Sequence, residues 1–158
     1  IVPTVERVRE LGKAEVHVVA TTNIVGGLAV MIGFDPEGEA AEVAQEMHEI
    51  SESLLCAEVT RAVREARIEG RDVPEGAYIG LLDGELLAVE EGVEDAALKL
   101  VVKMIEEGAD VVTLLRGYGV NEMTAHKILE RIKLLDGRVE VEVKDGGQPL
   151  YPLQMVAE

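Results

Sequence analysis

The stretch Tyr78–Val89, YIGLLDGELLAV, joins two apolar runs, Tyr78–Leu82 and Glu85–Val89, through Asp83-Gly84 alone. A type I′ turn needs positive φ at both central residues, which Asp tolerates and Gly adopts freely. The stretch therefore predicts an antiparallel β-hairpin. A lone hairpin is only marginally stable in water, so the flanking chain must supply further strands or a cover.

Upstream, Glu69-Gly70-Arg71-Asp72 and Pro74-Glu75-Gly76 read as turns feeding the hairpin. Ala57–Ile68 fits two patterns. Val59, Ala62, Val63 and Ala66 keep a helical spacing, while Val59, Arg61, Val63, Glu65 and Arg67 alternate. The hairpin's need for a partner decides for a strand. Before it, Glu39–Leu55 carries apolar residues at helical period, and Phe34–Gly38 is a turn. Glu15–Ala20, EVHVVA, predicts a buried strand that leads through Thr21-Thr22-Asn23 into a helix over Ile24–Gly33. Pro3–Leu11 predicts a short helix ended by Gly12.

Downstream, Val93–Glu107 predicts a helix whose early acids and late Lys103 suit the helix dipole. Asp110–Leu115 follows as a strand, and Arg116–Gly119 as a loop. Asn121 caps a helix to about Leu134. Arg138–Lys144 alternates as a strand, and Leu153–Ala157 is a last short one. The whole predicts an α/β fold, a mixed sheet layered with helices and including the antiparallel hairpin at 78–89. Two portions are expected, residues 1–56 and 57–158, the first being a truncated subdomain.

Hydrophobic residues make up 47% and aromatics 3%, so Val, Leu, Ile and Ala must build the core, and few rings remain to stack on bases or sugars. With 15 Lys+Arg against 31 Asp+Glu, the formal charge of −16 repels phosphate backbones and anionic lipid, which argues against nucleic acid and membrane surfaces. One cysteine, Cys56, precludes an internal disulfide and fits a reducing compartment. No run of about 18 apolar residues is present to span a bilayer, and no signal peptide is visible. A cytoplasmic location is expected. The start at Ile1 rather than Met suggests a piece of something longer.

Local chemistry is sparse. Glu122 and His126 are four apart and could share a helix face, but no second ligand pair completes a metal site, so none is predicted. Cys56 lacks a basic sequence neighbour to lower its pKa and reads as structural. Thr21, Thr22, Asn23, Gly26 and Gly27 lie where a strand enters a helix, an arrangement able to hold a phosphate or carboxylate. Gly26-Gly27 could equally serve tight packing, and without a P-loop or GxGxxG pattern packing is the favoured reading. Arg61, Arg64, Arg67 and Arg71 stand out in an acidic chain. They could receive an acidic partner or neutralise nearby Glu. Gly146-Gly147-Gln148-Pro149-Leu150-Tyr151-Pro152 sets two glycines beside two prolines, a rigid and sharply shaped loop that serves packing or recognition.

At that loop the sequence resembles the C-terminal domain of the FakA/YloV fatty acid kinase family, which is dihydroxyacetone kinase-like. The resemblance runs in order through FDPE (Phe34–Glu37), VTRAVREARIEG (Val59–Gly70), IGLLDGELLAV (Ile79–Val89) and GGQPLYP (Gly146–Pro152). Ala20, Asn23 and Gly26 stand where the family usually has Pro, Ser and Gln, and Arg116-Gly117 precedes the family's Tyr-Gly pair, here Tyr118-Gly119.

The resemblance implies a DegV/DhaK-like fold and a division of labour. ATP and Mg²⁺ are expected on an N-terminal domain absent from this chain, so no cofactor is expected here. A DegV-type carrier, FakB, holds the fatty acid whose carboxylate becomes an acyl phosphate. This chain is then a non-catalytic domain that contacts the carrier and the parent kinase's other domains. Arg61, Arg64, Gly146, Gly147, Gln148, Pro149 and Tyr151 are its expected partner-binding residues. Homodimerisation is left open. The alternative is a lipid- or anion-binding domain of DegV-like type using the Thr21–Gly27 loop. An autonomous kinase or hydrolase is disfavoured, because no nucleophile–base pair or metal set is visible.

Overall fold

In the computed structural model of the protein, which describes residue 12 and residues 15–158, the Asp83-Gly84 hairpin forms at one edge of a six-stranded sheet. Asp83 and Gly84 have φ of 49° and 89°, the positive pair a type I′ turn requires. The hairpin strands are β4 (Tyr78–Leu82) and β5 (Glu85–Glu90). With β1 (Leu55–Arg61), β6 (Val111–Arg116), β7 (Glu140–Asp145) and β8 (Leu153–Ala157) they stand in the order β5-β4-β1-β8-β6-β7. β6 and β7 are parallel and every other pairing is antiparallel, which makes the sheet mixed.

The strand expected across Ala57–Ile68 is broken. β1 ends at Arg61, and β2 (Ala66–Ile68) pairs instead with β3 (Arg71–Val73) in a separate two-stranded ribbon. Two bonds fix the break: Ala62 N–H donates to Ala77 O and Gly76 N–H to Ala62 O, both at 2.8 Å. The turn expected at Glu69–Asp72 therefore gives way to a strand from Arg71 onward. Three residues are too few to show an alternation.

Helices α3 (Val93–Glu106) and α4 (Glu122–Leu135) bury Ala96, Ala97, Leu100, Val101, Met104, Ile128 and Ile132. These join Ala57, Val59, Val112, Leu114, Leu153 and Met155 in one cluster. The strand residues alternate along their strands and so share one face of the sheet. On the hairpin's other face, Ile79 and Leu86 pack with Val73 and, more loosely, with Ala62, Ile68, Leu81 and Val89. The β2–β3 ribbon thus gives the hairpin a second apolar cover.

The chain divides into two compact units, Ile1–Ser53 and Leu54–Glu158. That division keeps β1 whole, whereas one after residue 56 would cut it. In the first unit, α1 (Ile24–Val30) runs into a 3-10 turn (Met31–Gly33), and α2 (Ala40–Ser53) follows. Glu15–Ala20 is not a strand: it has no neighbour in either sheet, and Val18 is 47% exposed. The helix expected over Pro3–Leu11 lies outside the described residues.

Candidate docking surface at one end of the sheet

Strand register gathers distant residues at one end of the second unit. Arg61 stands opposite Tyr78. Leu153 is opposite Val59 on one side and Arg116 on the other, and Arg116 is opposite Asp145. The carboxyl ends of β1, β6 and β7 and the amino ends of β4 and β8 therefore lie together. Arg61, Arg64 and the whole Gly146–Tyr151 loop, 82 or more residues apart in sequence, fall at this one end.

The loop is locked. Gly146 and Gly147 N–H donate to Arg116 O at 2.9 and 3.1 Å, Tyr118 N–H to Gln148 O at 2.8 Å, and Gly117 N–H to Pro152 O at 2.9 Å. The Gln148 side-chain amide donates to Leu115 O at 2.8 Å. A Cβ on Gly117 would come within 2.7 Å of Gln148 O and against Tyr151 O, so the two loops close only around a glycine there. The Thr60 hydroxyl reaches Leu150 O at 3.4 Å and joins β1 to the loop. The glycines and Gln148 thus build the scaffold and offer few groups outward.

The arginines divide by role. Arg61 Nε donates to Gly76 O at 3.0 Å, and its guanidinium lies 5.9 Å from the Tyr78 ring centroid. Arg71 donates to Leu87 O at 2.9 Å, and Arg67 lies 3.7 Å from Asp72. Arg64 is exposed, and among the described residues no ion pair forms to it. Backbone carbonyls, more than Glu side chains, hold this basic set.

Pattern reading missed the apolar groups on the same end. Val63 is 88% exposed, Tyr118 80%, Leu150 75% and Met123 69%. Met123 opens α4, whose cap Asn121 accepts from Thr124 N–H at 2.9 Å. Each of the four sits singly in a polar segment, so only the fold shows that they lie at the same end of the sheet. Beside them is an open cleft of about 290 Å³, lined by Arg116, Glu122, Ala125, His126, Val143 and Asp145 among others. Arg116 Nε bonds Asp145 Oδ1 at 2.6 Å across the parallel pair. His126 pairs with Glu130 at 3.3 Å, one turn along the helix on the side opposite the Glu122 partner considered from sequence. Among the described residues, no three His, Cys, Asp or Glu side chains are grouped to share a metal ion.

At the Thr21–Gly27 loop, Asn23 Oδ1 accepts from Gly26 N–H at 2.8 Å and Asn23 O from Gly27 N–H at 3.1 Å. Two amides that an anion would use are engaged by the chain itself. A Cβ on Gly27 would lie 3.4 Å from Thr21 Oγ1, which is ordinary contact. Cys56 is buried in β1.

Across residues 1–158 the chain matches the FakA-like C-terminal family of fatty acid kinase subunits. The chain belongs to that family. This FakA-like C-terminal domain is 28% identical over 144 residues to Protein YloV of Bacillus subtilis. It is 28% identical over 141 residues to an uncharacterized protein of Staphylococcus haemolyticus. The matches cover 91% and 89% of the chain but 26% of each relative, so the domain spans about a quarter of their length. Its fold is similar to that of a DegV family protein from Thermus thermophilus, whose structure is titled for fatty acid binding. The TM-score is 0.59 at 14% identity, covering 99% of this chain and 65% of that one. The domain thus has a DegV-like fold, and among the described residues no helix is long and apolar enough to cross a membrane.

Proposed function

We propose that this domain is the docking module of a cytoplasmic fatty acid kinase. It receives a DegV-type fatty-acid carrier so that another domain of the parent protein, holding ATP and Mg²⁺, can phosphorylate the acyl carboxylate. The observation that carries the reading is the set of exposed apolar side chains at one end of the sheet, with Tyr118 and Leu150 on cross-bonded loops, Met123 at the start of α4 and Val63 just beyond β1. Interfaces are anchored by a few large side chains on preordered backbone, where little ordering entropy is lost on binding. Family membership supports the fatty acid kinase context. Arg64 supplies a charge at the rim, and the Gly146–Tyr151 loop holds Tyr118 and Leu150 in place.

Isothermal calorimetry of the chain against a DegV-type carrier from the same organism tests the proposal. Binding is expected, with Tyr118→Ala weakening it roughly thirtyfold, the effect of an anchor of about 2 kcal/mol. Absence of heat with both proteins folded would refute it.

A further inference from the structure

A second surface, in the first unit, has a different chemistry. An open apolar cleft of about 490 Å³ is floored by Met31, Phe34, Pro36, Val43, Ala44 and Met47, with Glu15, His17 and Asp35 also lining it. Its volume falls within the range of ligand pockets. Ile24, Leu28 and Ile32 stand exposed nearby in sequence, four residues apart on α1 and the 3-10 turn. Between Ala14 and Ser53 the chain carries eight Asp or Glu and no Lys or Arg. The Asp35 carboxylate accepts a local bond from Glu37 N–H at 2.9 Å, and Glu15 meets His17 at 2.7 Å. Neither bond brings in a lysine or arginine.

We propose that this cleft takes the apolar anchor side chains of a basic segment on a partner protein. The Met- and Phe-lined floor adapts to Leu, Ile or Phe side chains, since unbranched Met fills irregular gaps. The Glu15 and Asp35 carboxylates lining it select Lys and Arg beside those anchors and repel a carboxylate. Unlike charges close together attract and like charges repel. A free fatty acid is therefore disfavoured here, and a cationic amphipathic helix is favoured.

The test uses the full chain and a short, fluorescently labelled helical peptide of leucine and lysine, with a twin carrying glutamate for lysine. Anisotropy should rise with the lysine peptide alone. Joint Met31→Ser and Phe34→Ser, both at half-exposed positions, should weaken binding about tenfold or more while the circular dichroism is unchanged. Joint Glu15→Lys and Asp35→Lys should reverse the preference between the twins, which keeps the proposal testable if the serine variant unfolds. Unchanged lysine-peptide affinity in the serine variant would overturn it by showing attraction to net charge alone. Equal binding of both twins, or tighter binding to phosphatidylcholine vesicles than to the lysine peptide, would also overturn it.

Discussion

Asp83 is bonded twice to Cys56: the Cys56 N–H donates to Asp83 Oδ1 at 3.0 Å, and the Asp83 N–H donates to Cys56 O at 2.7 Å. The turn that defines the hairpin is thereby clipped to the strand beginning the sheet. β4, antiparallel to β1, needs this register for Ala57 to face Leu82 and Val59 to face Gly80. Asp83→Ala removes the side-chain acceptor and sets a less tolerant residue at φ 49°. It should cost about 1–2 kcal/mol of stability, and Asp83→Asn should recover most of that. Urea unfolding midpoints of the three proteins check this.

Gly117→Ala tests the closure of the two loops. Its Cβ would press on backbone carbonyls of Gln148 and Tyr151, which cannot swing away as a side chain can. The variant should lose roughly 1–3 kcal/mol. Amide hydrogen exchange should rise first at Gly117, Tyr118, Gly146 and Gly147, whose N–H groups make the closing bonds.

Two arginines should separate scaffold from surface. Arg61→Ala loses the bond to Gly76 O and the contact with the Tyr78 ring, about 1 kcal/mol together. Arg64→Ala, at an exposed position, should change stability by less than about 0.5 kcal/mol. Thermal melts distinguish the two, and under the docking proposal only Arg64→Ala weakens the carrier at unchanged stability.

The fold was legible where short-range chemistry is decisive. Asp83-Gly84 announces its turn, Asn121 its cap, and the α3 and α4 stripes their buried faces. What stayed hidden was long-range. Nothing in EVHVVA says that it will join neither of the described sheets, and nothing in Ala57–Ile68 says that Ala62 will bond back to Ala77 and Gly76. Gly146–Tyr151 stands out for its odd composition, yet its glycine N–H groups and the Gln148 amide are spent on Arg116 O and Leu115 O. The outward groups, Val63, Tyr118, Met123 and Leu150, are ordinary residues in ordinary segments, and only the strand register shows that those segments leave the sheet at the same end.

The response to pH has two opposing parts. Glu58 faces the fully buried Gln154 across β1 and β8. Burial pushes its carboxyl above the usual range, and the bond to Gln154 offsets part of that. A carboxyl raised on folding binds its proton more tightly in the native state, so its contribution to stability falls as pH rises from about 4.5 through the native value. Asp136 behaves oppositely. The Arg138 side chain and backbone bonds hold it down to about 2, so its contribution is complete above its ordinary 3.8 and is lost as pH falls toward 2. Glu58→Gln should therefore raise stability at neutral pH relative to pH 4, and Asp136→Asn should flatten the acid limb. Unfolding midpoints measured from about pH 2 to pH 7 would show both.

The most direct test of the docking account is the affinity of a DegV-type fatty-acid carrier for the Leu150→Asp variant, measured by calorimetry beside the unaltered chain. Leu150 is 75% exposed and lends only its carbonyl to the fold, so the account predicts an unchanged unfolding midpoint with binding reduced at least tenfold. Undiminished affinity in the folded variant would contradict it.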